Sequence, residues 1–393
     1  MFAARVRLSP SPTRVISSHH RRLREYIASN PKRWLVTGVA GFIGSHLLDE
    51  LLRLGQTVIG VDNFSTGHRS NVAQVLAAHP ASAQRFTLHE GDIRDANVCR
   101  AACNRVDYVL HHAALGSVPR SIDDPMTTHA VNVDGFITML SAAKDAGVAR
   151  FVYASSSAVY GDSQRQPQVE DSIGRPLSPY AASKSINETY AMAFQQTYRM
   201  QSIGLRYFNI FGPRQDPNGA YAAVIPRWAS KLLSGETCEI FGDGESTRDF
   251  CYVANVVQAN LLAATEESSA ASGEVYNVAC SRSLTLNELF GLMRDGVRSV
   301  LPEASAPPAR YRDFREGDIR YSGGSIEKAR RLLSYCPTHS VAEGMTETLS
   351  WYVAGLRSAT SAMTPYASAY DSNAASAGRS RQAMSAAVSQ SLK

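Results

Sequence analysis

Residues 37–44 read Thr37-Gly38-Val39-Ala40-Gly41-Phe42-Ile43-Gly44, and this stretch decides the fold. An apolar run at 34–37 precedes it and a helix-forming run follows, so the glycines fall at GxxGxxG spacing between a strand and a helix. Glycine at 38 and 41 lets the backbone turn tightly and approach a ligand. Gly44 lets the helix lie close to the strand. The helix N-terminus then faces an anionic group, and a pyrophosphate fits that position.

The next apolar run ends at Asp62, 18 residues after Gly44. A carboxylate there accepts hydrogen bonds from both hydroxyls of a ribose and repels a 2′-phosphate, which predicts NAD rather than NADP. Gly38, Gly41, Phe42, Ile43, Gly44, Asp62 and Asn63 are the expected cofactor contacts. Asp92 and Ile93 follow the third strand and are placed near the adenine, with a simple turn as the rival reading of Asp92. Ala113, after the fourth strand, and Tyr207 complete the expected cofactor set.

Outward from this turn, runs at 34–37, 57–61, 86–90, 108–111 and 151–154 read as strands separated by helical stretches. Such alternation implies an α/β fold built on a doubly wound parallel sheet of Rossmann type, with ligands beyond the carboxyl ends of the strands. The second half is less regular. Turn clusters at 212–219 and 242–244 and a Pro-rich stretch at 302–308 suggest a smaller, loop-rich substrate-binding domain. The expected organisation is a disordered extension over 1–24, an NAD-binding domain over 25–210 with segments near 249–280 returning to it, a mainly substrate-binding part over 211–355, and a disordered Ala/Ser-rich tail over 356–393.

The chain has 393 residues, 44% hydrophobic and 19% charged, and no apolar run approaches the roughly 20 residues that span a bilayer. Membrane insertion is not expected. Of the net charge of +5, six arginines fall in residues 1–24, a segment without acidic residues that fits a disordered arm or an organelle presequence. The rest is nearly neutral, which argues against a nucleic-acid partner. Six scattered cysteines without a CxxC pair imply reduced thiols in a cytoplasmic setting. Cys99 and Cys103, four apart, read as core packing, and no metal is assigned.

Ser178-Pro179-Tyr180-Ala181-Ala182-Ser183-Lys184 reads as a helix start, with Ser178 as N-cap and Pro179 in the first turn. Tyr180 and Lys184 fall on one face. A free tyrosine titrates near about 10, but a nearby ammonium and a positively charged nicotinamide favour its phenolate, so Tyr180 can serve as a general acid and base. A third partner comes from Ser155, Ser156 and Ser157, just beyond a strand, with Ser156 preferred.

TGxxGxxG, a Ser/Thr and YxxxK in this order resemble the extended short-chain dehydrogenase/reductase superfamily over roughly residues 31–355. The segments HHAALGSVPRS (111–121), LSPYAASK (177–184), LRYFNIFGPRQDPNGAYAAVIPRW (205–228), GDGESTRDFCY (242–252) and YRDFREGDIRYS (311–322) further resemble the bacterial UDP-N-acetylglucosamine 4-epimerases of O-antigen and capsule synthesis. The 4-epimerases of UDP-N-acetylglucosaminuronic acid share nearly the same motifs, which leaves the group at C6 open. The resemblance implies that Asn209 and Arg248 hold the UDP phosphates and ribose, Arg315 a phosphate and Asp318 the uridine ribose. A guanidinium fork and a carboxylate suit those groups. It also places Ser117, Val118, Arg120 and Asn132 near the sugar, with Ser156, Ser157 and Tyr180 as substrate contacts. Ser322 stands where related galactose-type enzymes carry a bulky gate against N-acetyl sugars.

The implied reaction is redox-neutral. Tyr180, assisted by Ser156, takes the 4-hydroxyl proton while the C4 hydride goes to NAD, and return from the opposite face inverts C4. Dehydratases and decarboxylases that resemble this family carry an acidic residue one or two positions after the catalytic Ser/Thr, where Ser157 and Ala158 stand here. A non-catalytic NAD sensor is the remaining alternative, disfavoured because Tyr180 and Lys184 are both present. The resemblance implies a homodimer formed by helices over 125–146 and 180–199.

Overall fold

The computed structural model describes residues 18–217, 219, 222–314 and 320–367. Arg33–Thr37 (β1), Thr57–Asp62 (β2), Phe86–Glu90 (β3), Tyr108–His111 (β4), Arg150–Ser156 (β5) and Ser202–Tyr207 (β6) form most of one sheet. The short strands that follow are Ile210–Phe211 (β7), Glu239–Phe241 (β8), Thr247–Asp249 (β9), Cys251–Tyr252 (β10), Val275–Val278 (β11), Ser283–Thr285 (β12), Arg310–Arg312 (β13) and Tyr321–Ser322 (β14). The central sheet has seven strands in the order β11-β6-β5-β4-β1-β2-β3. Every pairing in it is parallel. The chain winds from β1 to β3 on one side and resumes with β4 on the other, so the switch point lies between β1 and β4.

The helices in chain order are Ser18–Ser29 (α1), Phe42–Arg53 (α2), Arg69–Ala78 (α3), Ala96–Ala102 (α4), Val118–Asp123 (α5), Pro125–His129 (α6), Gly135–Asp145 (α7) and Pro179–Tyr198 (α8). Val224–Leu233 (α9), Val253–Thr265 (α10), Leu286–Val300 (α11), Glu327–Leu333 (α12) and Val341–Ala367 (α13) complete them. Alternation along the strands explains why helices cover both faces. Trp34, Val36, Leu110 and Val152 join Leu47, Leu51 and Val256 from α2 and α10 in one core. Leu35, Val109, Phe151 and Tyr153 point the other way and pack with Cys99, Phe136, Met139 and Ala191 from α4, α7 and α8. A further cluster, with Trp228, Phe290, Met293, Leu349 and Tyr352, holds α9, α11 and α13 together.

Three expectations need correction. The extension over 1–24 is not wholly disordered: α1 begins at Ser18, its Leu23 and Ile27 are buried in the main core, and Arg24 pairs with Glu50 at 2.7 Å. Gln56, fully buried, secures that helix by donating to Ile27 O at 2.9 Å and accepting from Lys32 N and Trp34 Nε1. At the other end α13 continues through Ala367, past the expected tail boundary at 356. Residues 1–17 and 368–393 lie outside the described residues. The helix expected over 125–146 is interrupted, because a π-helical turn over Ala130–Asp134 separates α6 from α7.

Candidate active site

The carboxyl ends of β1, β2, β4 and β5 open into a cavity of about 440 Å³. Gly38, Gly41, Phe42, Ile43, Gly44, Asp62, Asn63, Asp92, Ile93, Ala113, Tyr180, Lys184 and Tyr207 all line it. So do Ser155, Ser156, Asn209 and His112.

The Gly-rich turn is tight because β4 lies beside β1. A Cβ on Gly38, whose φ is +68°, would sit 2.8 Å from Ala113 N. One on Gly44 would sit 2.0 Å from Gly38 O, so both positions exclude any side chain. The Thr37 hydroxyl holds the neighbouring loop: its oxygen accepts from His112 N and Ala113 N, both at 3.1 Å, and meets His111 Nδ1 at 2.9 Å. The backbone is thereby fixed with the open N-terminus of α2 facing the cavity.

Asp62 is buried, and each of its oxygens accepts one backbone N–H, Oδ2 from Ala40 and Oδ1 from Phe64, both at 2.8 Å. Burial raises its pKa, and these two hydrogen bonds oppose the rise. Each oxygen keeps an acceptor lone pair for a ligand hydroxyl. Asp92 is more open and carries a fork from Arg94, with contacts of 2.9 and 2.7 Å, and a bond from Asn63 Nδ2 at 2.9 Å. The Arg94 hydrogen bonds hold its pKa down to about 2. The steric cradle, the open helix end and the buried carboxylate fit a dinucleotide.

On the opposite wall, Ser178 caps α8 by accepting from Ala181 N at 3.1 Å. Lys184, one helical turn after Tyr180, is buried and donates from Nζ to Ala154 O at 2.9 Å. Its Nζ lies 6.0 Å from the centroid of the Tyr180 ring. Burial lowers the Lys184 pKa to about 8, with Glu188 opposing. Burial raises the Tyr180 pKa, and a hydrogen bond with Ser156 lowers it. The Ser156 hydrogen bond thus works against burial and favours the Tyr180 phenolate.

The neighbouring serines face different ways. Ser155 is buried and donates to Glu188 Oε1 at 2.5 Å. Glu188 is also gripped by Arg206, at 2.9 Å from Nε and 2.8 Å from Nη2. Ser156 faces Tyr180 and accepts from Ala158 N at 3.1 Å. Ser157 opens a short 3-10 turn and does not line the cavity.

Other expected substrate contacts stand apart. Ser117 caps α5 through Arg120 N at 3.2 Å. Asn132 is spent structurally: in the π-helical turn, it accepts from Leu115 N at 2.8 Å and donates to Leu115 O and Ser183 Oγ. Arg248 and Ser322 are paired in register on β9 and β14, outside the cavity lining. Asn209 lines the cavity and donates to Asp249 O at 3.1 Å. Arg315 and Asp318 lie outside the described residues.

His112 was not among the expected site residues, although HHAALGS contains it. Tyr207 Oη accepts from Asn260 Nδ2 at 2.8 Å and meets His112 Nε2, also at 2.8 Å. Burial lowers the His112 pKa to about 3, so the ring is neutral at pH 7.

A steric dinucleotide cradle at the switch point, with a tyrosine and a lysine on its far wall, defines an α/β nucleotide-binding enzyme of Rossmann type. The chain belongs to the NAD dependent epimerase/dehydratase family, whose model matches residues 34–279, and its cofactor is NAD. It is 36% identical over 323 residues to a UDP-glucose 4-epimerase of Mycolicibacterium smegmatis, covering 81% of this chain and 98% of that one. A UDP-N-acetylglucosamine 4-epimerase of Methanobrevibacter ruminantium, solved with UDP-N-acetylmuramic acid, is 37% identical with a TM-score of 0.75, covering 82% of this chain and 99% of that one. A UDP-glucose 4-epimerase of Thermus thermophilus, solved with NAD, is 32% identical with a TM-score of 0.70 over 81% of this chain and 98% of that one. Among the described residues no helix is long and apolar enough to cross a membrane.

Proposed function

We propose that this protein is a UDP-sugar 4-epimerase that interconverts UDP-N-acetylglucosamine and UDP-N-acetylgalactosamine as a cytoplasmic homodimer supplying surface polysaccharide precursors. The observation that carries the choice of reaction is the placement of acids. Asp62 and Asp92 are the only carboxylates among the described residues lining the cavity, and both belong to the end assigned to the adenosine. Ser157 and Ala158 follow Ser156 where an eliminating enzyme needs an acid. Proton transfer at a single hydroxyl is the chemistry left to Tyr180 and Ser156.

Gly38, Gly41 and Gly44 hold the cofactor pyrophosphate and Asp62 the adenosine ribose in this reading, with residues 25–210 as the cofactor domain. NAD, when bound, supplies reversible hydride acceptance at the sugar C4. Tyr180 Oη removes the proton from the 4-hydroxyl, Ser156 bridges that oxygen to Tyr180, and Lys184 orients the nicotinamide ribose. Asn209, Arg248, Arg315 and Asp318 anchor the nucleotide while the 4-keto sugar presents its other face. Ser117 flanks the sugar, and the small Ser322 admits the acetamido group.

Proton NMR of the purified enzyme, without added NAD, tests this with UDP-N-acetylglucosamine, UDP-glucose and UDP-N-acetylglucosaminuronic acid in parallel. Appearance of the 4-epimer of the first is the expected result, and the relative rate on the third settles the C6 preference. No conversion of any of them by NAD-loaded enzyme sinks the proposal. The Tyr180→Phe variant should lose about 10²- to 10⁴-fold in turnover while still binding nucleotide.

A further inference from the structure

The connector that runs from Ser156 to Tyr180 reaches across to the segment that carries Ser322. Gln168 N donates to Gly323 O at 2.8 Å and Gln168 O accepts from Ser325 N at 2.9 Å, one step of a parallel ladder centred on Gly324. Continued back by two residues, that ladder would bond the backbone N–H of residue 166 to Tyr321 O and its carbonyl to Gly323 N. The Gln166 side chain makes those two bonds instead. Its Nε2 donates to Tyr321 O at 3.1 Å and its Oε1 accepts from Gly323 N at 3.4 Å. A primary amide carries a donor and an acceptor on one planar group and so imitates a peptide. The residue between the two bonds is Ser322, which pairs in register with Arg248 on β9.

Two residues further on, the connector is firmly held. Asn277, fully buried, donates from Nδ2 to Gln168 O and Ser325 O, both at 3.0 Å, and from its backbone N–H to Glu170 Oε1 at 2.8 Å. Arg206 Nη1 donates to Glu170 O at 2.9 Å. Gly324 lies so close to Phe208, the neighbour of Asn209, that a Cβ there would meet the ring at 2.7 Å. Gln166, by contrast, is exposed, so its two bonds can be removed without opening the core.

We propose that Gln166 is a specificity-positioning residue: its side-chain amide adds one more ladder step to β14 and holds Ser322 where an acylamino group at the sugar C2 is admitted. β14 is only two residues long, shorter than an ordinary strand, and without this amide Ser322 would be held by β9 alone. Tyr321 O and Gly323 N would then take water in place of Gln166. The loss falls on sugar binding and not on proton transfer, since Tyr180 and Ser156 are untouched. The effect on substrate choice rests on the reading of Ser322 as a gate; the docking of Gln166 does not.

The test compares NAD-loaded wild type with Gln166→Leu, which keeps the bulk of the side chain and removes the amide. Hydrogen exchange followed by mass spectrometry should be faster in the peptide spanning 320–326 by about 3- to 10-fold, the factor for one lost hydrogen bond, with β6 unchanged. NAD per chain and the thermal midpoint should match wild type. KM for UDP-N-acetylglucosamine should rise by about 3- to 10-fold at constant kcat, while the calorimetric Kd of UDP-glucose, which lacks the acetamido group, stays as it was. Unchanged exchange over 320–326 overturns the docking. Faster exchange with an unchanged KM, or with an equal rise in the UDP-glucose Kd, overturns the link to specificity. Ser322→Tyr separates that failure from failure of the gate: selective loss of the N-acetyl sugar in this variant leaves the gate standing and refutes only Gln166, and equal loss of both sugars removes both.

Discussion

Ser155 donates its hydroxyl proton to Glu188 Oε1 at 2.5 Å, whereas Ser156, next in sequence, faces Tyr180. Strand alternation turns adjacent side chains to opposite sides, so the Ser155 hydroxyl goes to Glu188 and the Ser156 hydroxyl to Tyr180. Ser156→Ala should lower turnover about 10²-fold or more with unchanged thermal stability. Ser155→Ala should leave turnover within a few-fold and destabilise the fold by about 1 to 3 kcal/mol, because Glu188 loses a buried donor. Steady-state kinetics and thermal denaturation of both variants check this, and the reverse pattern would reassign the serines.

The Lys184 pKa, lowered by burial to about 8, gives stability a pH dependence with a definite sign. In the unfolded chain a lysine stays protonated to about 10.4. Below pH 8 both states carry the proton and the burial penalty is complete. As pH rises from 8 to about 10.4 the folded state releases its proton first, so this group's contribution shifts toward stability. Denaturant unfolding of nucleotide-free wild type and Lys184→Met should show wild type gaining about 1 to 3 kcal/mol relative to the variant across that window. A constant gap would show that Lys184 titrates normally.

Gly38 and Gly55 have nearly the same positive φ, +68° and +71°, but only Gly38 has backbone where a Cβ would go. Gly55→Ala should cost only the conformational strain, about 1 to 2 kcal/mol, and keep its cofactor. Gly38→Ala should add a collision with Ala113 N and strip NAD from the purified protein. Nucleotide released by denaturation, measured per chain, distinguishes the two.

Ser322 pairs in register with Arg248 on β9. On the proposed substrate assignment, Ser322→Tyr should lower kcat/KM for UDP-N-acetylglucosamine at least about tenfold, through the pocket overpacking that costs about 1 to 3 kcal/mol. UDP-glucose, lacking the acetamido group, should be little affected. Equal effects on both substrates would remove Ser322 as a gate.

Much of the site was legible because its encoding is local. The Gly38–Gly44 turn, the strand-terminal Asp62 and the Tyr180–Lys184 pair are set by backbone geometry over a few residues, and the structure puts all of them around one cavity. The interruption between α6 and α7 was not legible, because its Asn132 serves Leu115 and Ser183, 17 and 51 residues away. Nor was α1, whose composition resembles an unstructured arm. Leu23 and Ile27 find apolar partners only once the sheet has assembled.

The sequence by itself determined the class of fold, the glycine turn after β1, the acid at the end of β2 and the helix that carries the tyrosine and lysine. Those features need only the 2-residue and 3.6-residue periodicities and the steric demands of glycine. Tertiary structure alone decided that Glu188, itself held by Arg206, claims Ser155, and that Tyr207 meets His112. Each pairing joins segments whose proximity depends on the order of strands in the sheet, and no local pattern records that order.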